Sequence, residues 1–300
     1  MLQIEHVSKI FGSKSAVSDL SFNIKKGEII GIIGQNGAGK STTFHMILGF
    51  TPTDEGRILW KGKKITQNNR PSVGYMPEER GLYMKESIRS QIFYFAALQG
   101  MEKSVASKKL EWWMKKLNVI GKPTDKIESL SKGNAQKVQL LACLMFEPEL
   151  LILDEPFSGL DPVNAELLIK AILEAKSRGA MIIFSSHNMN NVERLSDYLV
   201  MIHHGNTLLK GTPTEIFKSY GRLKLELDGW NNFDFLSQHR GVSNILKQPS
   251  GAVSADLLNE EEGRILFNVI SKKGYIPVFN QHYPSLEDIF KLEVQKNEQH

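Results

Sequence analysis

The sequence predicts an α/β protein in two parts: a domain with a mixed sheet core over residues 1–220 and a small α+β domain over 221–300. Three observations carry that prediction. An apolar strand, Ile29 to Ile33, runs into the glycine-rich Gly34-Gln-Asn-Gly-Ala-Gly-Lys40-Ser41 and then into an apolar-periodic helix. A second aliphatic run, Leu150 to Leu153, ends in the paired acids Asp154 and Glu155. Beyond residue 220 the pattern becomes strand, helix, strand, strand, helix, strand, helix, the order of a ferredoxin-like split βαβ.

Three hundred residues are enough for one large domain or two ordinary ones. A 41% hydrophobic and 23% charged composition is that of a soluble globular chain. The 37 basic and 33 acidic side chains are evenly scattered, which argues against a nucleic-acid surface, where basic residues cluster. Cys143 is the single cysteine, in the apolar helical stretch VQLLACLMF, and reads as a small core residue of a cytosolic protein. No stretch approaches the roughly 20 apolar residues that span a bilayer. The N-terminal MLQIEHVSKIF lacks the charged-then-apolar order of a signal peptide. The expectation is a cytoplasmic chain whose membrane role, if any, comes through a partner.

Residues 1–30 and 56–66 hold short alternating segments (LQIEHV, LSFNI, GRILW, KKITQ), which predict an antiparallel β layer. Between them, residues 28–48 match G-x-x-x-x-G-K-[ST] in strand-loop-helix context, the P-loop of NTPases. By itself a glycine-rich turn need hold no ligand; the flanking strand and helix favour the phosphate reading. Gly34, Gln35, Asn36, Gly37, Ala38 and Gly39 would turn backbone N–H groups onto phosphate oxygens, at the positive end of a helix. Lys40 can reach the β- and γ-phosphates, Ser41 suits Mg²⁺, and Thr42 continues the first turn.

From about 84 to 147 the pattern is helical, with Ile88, Ile92 and Phe95 at helical spacing. The adjacent Trp112 and Trp113 cannot face the same way, so one is expected at an edge or partly exposed. The plain reading is a small helical subdomain with its own core. LSKGNAQK (130–137) opens a helical stretch ending at Pro148.

The unbroken aliphatics of Leu150–Leu153 read as a strand covered on both faces. Such a strand often ends simply in a polar loop. Two adjacent carboxylates there repel each other unless a cation is near, and a Mg²⁺-nucleotide at the cradle would supply it. Asp154 then suits the metal, through water, and Glu155 is left to polarise the water that attacks the γ-phosphate. SGLD (Ser158 to Asp161) follows, and His187 stands after the apolar MIIFSS.

Cradle, LSKGNAQK, acid pair, SGLD and His187, in that order, together with GYMPEERGLY (74–83), resemble the ATP-binding subunit of ABC transporters across residues 1 to about 215. PEERGLY and the altered signature are similar to bacterial ABC-2 type exporters, particularly the sodium-extrusion branch. The resemblance implies an ABC cassette that pairs head to tail, as a homodimer or with a related ATPase subunit, trapping ATP between two copies. Ser131, Gly133 and Asn134 of one chain would complete the cage around ATP held by the other, with Asp161 linking the two sites. His187 would contact the γ-phosphate, Phe11 would stack on the adenine, and Val17 would lie beside the ribose. Taken alone, Phe11 is more often core packing and His187 a strand-end residue.

The family signature is commonly LSGGQ; here Lys132 and Asn134 replace a glycine and the glutamine, and Lys132 is expected to point to solvent. The family glutamine after the YxP turn is Glu78 here, which can approach Mg²⁺ as a carboxylate. Residues 76–100 would form the groove receiving a cytoplasmic helix of a separately encoded permease. Residues 221–300 resemble the accessory domain of ABC-2 exporter ATPases; they carry no catalytic constellation, and His239 and His282 are too isolated to ligate a metal. The resemblance thus implies an ATP-hydrolysing exporter subunit, for a sodium ion, a drug or another molecule. The alternatives are a non-transport ABC ATPase acting on ribosomes or DNA, which resembles tandem or coiled-coil-split cassettes, and a small-molecule kinase, in which SGLD has no role.

Overall fold

The computed structural model describes every residue except 67, 70, 80, 231, 232, 299 and 300. Arg80 of the 74–83 segment therefore lies outside the described residues, as do Gln67, Asn231 and Asn232 of the segments read as strand or helix. Two compact units result, Met1–Lys210 and Gly211–His300.

Alternation builds the first layer. Strands β1 (Leu2–Phe11) and β2 (Lys14–Ile24) each bury one face and expose much of the other. The five residues of β3 (Ile29–Ile33) are all buried, and α1 (Lys40–Leu48) follows the glycine loop. Strands β4 (Glu55–Trp60) and β5 (Lys63–Lys64) complete an antiparallel sheet of order β2-β1-β4-β5.

Next comes β6 (Val73–Met76), then helices α2 (Ile88–Leu98), α3 (Lys103–Lys116) and α4 (Lys132–Leu144). Ser87 caps α2 by accepting from the Ser90 N–H. On α3, Trp113 is 4% exposed and Trp112 52%, as two adjacent helix positions require. Helix α4 stops four residues short of Pro148, because Met145 caps it and Glu147 takes a left-handed φ of 53°.

The aliphatic run forms β7 (Leu150–Leu153), entirely buried, followed by α5 (Pro162–Ser177), β8 (Met181–Ser185) and α6 (Met189–Leu195). With β9 (Tyr198–His203) and β10 (Asn206–Gly211) they give a six-stranded sheet, β10-β9-β3-β8-β7-β6, in which β9, β3, β8, β7 and β6 pair in parallel. Leu2 and Ile4 of β1, Phe44 of α1, and Ile30, Ile152 and Ile183 of the central strands join in one core. Each such side chain contributes about 1.5–3 kcal/mol by leaving water. Between β7 and β8 on one side and β3 on the other, the parallel strands end together, which brings Ser41, Asp154 and Ser185 to one edge.

Cys143 is buried, its Sγ donates to the Tyr75 carbonyl at 3.2 Å, and burial pushes the thiol up to about 12. No helix of the described residues is long and apolar enough to cross a membrane.

The second unit opens with α7 (Pro213–Tyr220), started by a capping box between Thr212 and Glu215. Then follow β11 (Lys224–Asp228), α8 (Phe233–Gln238), β12 (Val242–Lys247), β13 (Val253–Leu257), α9 (Glu260–Ser271), β14 (Val278–His282) and α10 (Leu286–Glu298). The antiparallel order β12-β13-β11-β14 is the ferredoxin-like arrangement. The units divide after Lys210, whereas the sequence expects the division after residue 220. Helix α7 accounts for the difference: Phe217 stacks on Tyr283 at 6.1 Å, and Tyr220 hydrogen-bonds Glu293 of α10.

Candidate nucleotide site

The loop between β3 and α1 folds as it does because three of its glycines cannot be replaced without conflict or strain. A Cβ on Gly34 would lie 2.5 Å from the Ile202 carbonyl, and one on Gly39, at φ 110°, would lie 2.3 Å from the Ala16 carbonyl. Gly37 takes φ 79° with open space around it. Gly39 caps α1 without any side-chain hydrogen bond, so no side chain of the cap occupies the first N–H groups of the helix.

Above this loop lies a cavity of about 450 Å³. Asn36, Gly37, Gly39, Lys40, Ser41 and Thr42 form its floor, and Phe11, Lys14, Ala16 and Glu78 its walls. Gly34 and Ala38 support the floor from beneath, with Ala38 buried. The Lys40 side chain is buried, and its Nζ donates to the carbonyls of Gly34 (2.8 Å) and Gln35 (3.1 Å). A buried ammonium resting on two backbone carbonyls can turn to phosphate oxygens, which offer a stronger charge-assisted bond.

A continuous hydrogen-bond chain leads from the cavity floor into the acid pair. Ser41 Oγ donates to Asp154 Oδ2 at 2.7 Å, and Ser185 Oγ donates to Asp154 Oδ1 at 2.6 Å. Ser185 Oγ in turn accepts from the Glu155 N–H at 2.9 Å. Glu155 takes a left-handed φ of 49°, which turns its side chain away from the path of β7. Its Oε2 accepts from the His187 backbone N–H (3.3 Å) and pairs with His187 Nδ1 (2.8 Å). Its Oε1 is buried and accepts no hydrogen bond among the described residues. A buried carboxylate oxygen with an unused lone pair fits a water molecule or other donor brought in with the nucleotide.

The donor set at Ser41 and Asp154 fits Mg²⁺, which takes hard oxygen ligands and is held by one or two protein groups plus substrate phosphates. Among the described residues no group of three or more His, Cys, Asp or Glu side chains could hold a metal by itself.

Phe11 is exposed and lies against the cavity wall, with Lys9 Nζ 5.4 Å from its ring centre. Val17 is placed otherwise than expected. It is fully buried in the core, and Ala16 is the β2 residue that meets the cavity. His187 is also placed differently from a residue reaching freely toward a phosphate: its side chain is 70% exposed, and one ring nitrogen is held by Glu155.

The α4 residues lie outside the residues that line this cavity. Ser131 caps α4, accepting from Asn134 N (3.3 Å) and Nδ2 (3.2 Å), while Asn134 Oδ1 accepts from Ile120 N (3.0 Å). The replacement of the signature glutamine by Asn134 thus has a local role in fastening the helix start. Gly133 faces Leu160, and Lys132, though exposed, lays its alkyl chain over Gly159 of the SGLD loop rather than straight into solvent. Asp161 caps α5; hydrogen bonds from Asn164, backbone first and then side chain, hold its carboxyl below the usual range. Ser185 and Gln136, whose Nε2 donates to the Glu155 (3.4 Å) and Pro156 (3.1 Å) carbonyls, are absent from the residues the sequence singles out. Their only signal is a polar residue within an apolar-periodic segment.

Comparison with known proteins agrees with this geometry. The ABC transporter family profile matches residues 17–158, and the C-terminal domain of DrrA1-3-like ATP-binding proteins matches residues 211–294. An uncharacterized ABC transporter ATP-binding protein of Bacillus subtilis (strain 168), YhaQ, is 43% identical over 97% of both chains. The linearmycin resistance ATP-binding protein LnrL of the same strain is 33% identical over 82% of this chain and 80% of its own. A solved ATP-binding subunit of an ABC transporter, 30% identical, superposes with a TM-score of 0.67 over 73% of this chain and 93% of its own. This chain belongs to the ATP-binding proteins of ABC transporters: its cassette is an ATPase cassette, and a DrrA-like C-terminal domain follows it.

Proposed function

We propose that this ATPase is the motor of an exporter, working as a pair of cassettes beneath a separately encoded membrane permease at the inner face of the cell membrane. One observation carries the paired arrangement: the cavity of a single chain is lined by the cradle, Ala16, Phe11 and Glu78, while the exposed helix start at Ser131 and Gly133 lies elsewhere on the chain. A second copy, or a related subunit, would bring those groups and Asp161 to the open side of the bound nucleotide.

In such a pair Phe11 covers the adenine, and the backbone of 34–39 with Lys40 holds the phosphates. Bound through Ser41 and, by way of water, Asp154, with Glu78 close by, Mg²⁺ would neutralise charge on the β- and γ-phosphate oxygens. Glu155 takes the proton of the attacking water. The water oxygen bonds to the γ-phosphorus as the bond to the β–γ bridging oxygen breaks, giving ADP and phosphate. With Nδ1 tied to Glu155, His187 has its other ring nitrogen left for the γ-phosphate. Positioning and charge stabilisation supply most of the rate.

For coupling, a cleft of about 200 Å³ lined by Pro77, Leu82, Phe95 and Leu98, with Tyr83 and Tyr94 exposed nearby, suits a helix of the permease. The relative named for linearmycin resistance favours a small-molecule cargo, with a sodium ion as the other cargo the sequence resemblance suggests. Tagged chain isolated from its native cells is expected in detergent-solubilised membranes with a multi-span protein. Recovery with ribosomes or DNA instead would overturn this reading.

A further inference from the structure

Strand β6 is the outermost strand of the six-stranded sheet, and the chain leaving it carries Glu78. Carbonyls on the inner side of this strand are satisfied by β7, as where the Asp154 N–H donates to Met76 O at 2.8 Å. On the outer side the next carbonyls in alternation belong to Tyr75, Pro77 and Glu79, and among the described residues no strand pairs with that edge. Helix α4 covers that edge with side chains four residues apart on one face. Cys143 Sγ donates to Tyr75 O at 3.2 Å, and Gln139 Nε2 donates to Pro77 O at 2.9 Å and Glu79 O at 3.4 Å. Gln139 is 4% exposed. Its amide has two N–H groups, one for each carbonyl.

Those two carbonyls flank Glu78, which lines the wall of the phosphate cavity. We propose that Gln139 is a positioning residue for ATP hydrolysis, fixing the backbone on both sides of Glu78 and so the approach of that carboxylate to the Mg²⁺-nucleotide; this rests on the site described under Proposed function. The same helix starts at Ser131 and, through Gln136, holds the carbonyls of Glu155 and Pro156. One rigid element therefore fixes both acidic loops of its own chain.

Three variants of the full chain test the proposal. Gln139→Leu keeps bulk and removes both donors, Gln139→Glu turns the donor into an acceptor, and Gln139→Lys restores a donor. In the nucleotide-free protein, hydrogen exchange of the backbone N–H groups that follow Pro77, from Glu78 to Tyr83, is expected to quicken in the Leu and Glu variants and to stay near wild type with Lys. The Mg²⁺ concentration for half-maximal hydrolysis is expected to rise about tenfold with Leu, the size of effect seen when a supporting partner of a metal ligand is removed. In a Glu78→Ala background Gln139→Leu should then add almost nothing. Unchanged exchange in the Leu variant, a Lys variant no better than Leu, or full additivity with Glu78→Ala would each overturn the proposal. The exchange measurement needs no nucleotide, so it separates failure of this inference from failure of the hydrolytic site.

Discussion

Glu155→Gln is expected to lower steady-state ATP hydrolysis by about 10²- to 10⁴-fold, the range a general base contributes, while ATP binding is retained. The amide has the shape of the carboxylate and can keep the contact with His187 that now spans 2.8 Å. It cannot accept the proton of the attacking water. It also removes one negative charge beside Asp154, so the triphosphate meets less repulsion and leaves more slowly. Single-turnover and steady-state rates, with the nucleotide retained after gel filtration, check both halves of the expectation. Hydrolysis close to the wild-type rate would defeat the assignment of the base.

Lys40→Ala should weaken ATP binding about 10- to 100-fold, since a hydrogen bond to a charged group is worth about 1.5–3 kcal/mol. The wild-type ammonium is already buried on the Gly34 and Gln35 carbonyls, so it loses little further solvation on meeting the phosphates. Removing it takes the ammonium donor from the Gly34 and Gln35 carbonyls, the latter keeping its bond from the Ala38 N–H, and leaves the β- and γ-phosphates without a buried cation. Titration of a fluorescent ATP analogue reads the loss directly. AMP, which has neither phosphate, should bind both proteins alike.

The parts of the chain that were legible in advance are those whose physics is local. The cradle is written in consecutive residues, because its glycines, Lys40 and Ser41 all serve one loop. The buried strand β7 announces itself by four aliphatics in a row, and the second unit by a run of amphipathic segments in a known order. Non-local features were harder to read. β1 and β2 pair with three register shifts, between Ile4 and Val7, Val7 and Lys9, and Lys9 and Ile10. Each bulge moves side chains to the other face, so the strand pattern alone does not disclose that Val17 is buried in the core while Ala16 meets the cavity. Helix α7 looks the same whichever unit it packs with, and only the contacts of Phe217 and Tyr220 far along the chain assign it to the second. Ser185, Gln136 and Gln139 act on backbone groups 19 to 62 residues away, and no spacing rule reaches that far. The departures Lys132 and Asn134 acquire contacts, over Gly159 and with Ile120, that the motif alone does not suggest.

The claim on which the account depends is that a working site needs groups from two chains. Hydrolysis per chain, followed as protein concentration is lowered and compared between wild type and Ser131→Arg, measures it most directly. The wild-type rate per chain is expected to fall on dilution, and the Arg variant, its helix start blocked, to be nearly inactive at every concentration while still binding ATP. A rate per chain that is constant on dilution, with Ser131→Arg as fast as wild type, would contradict it.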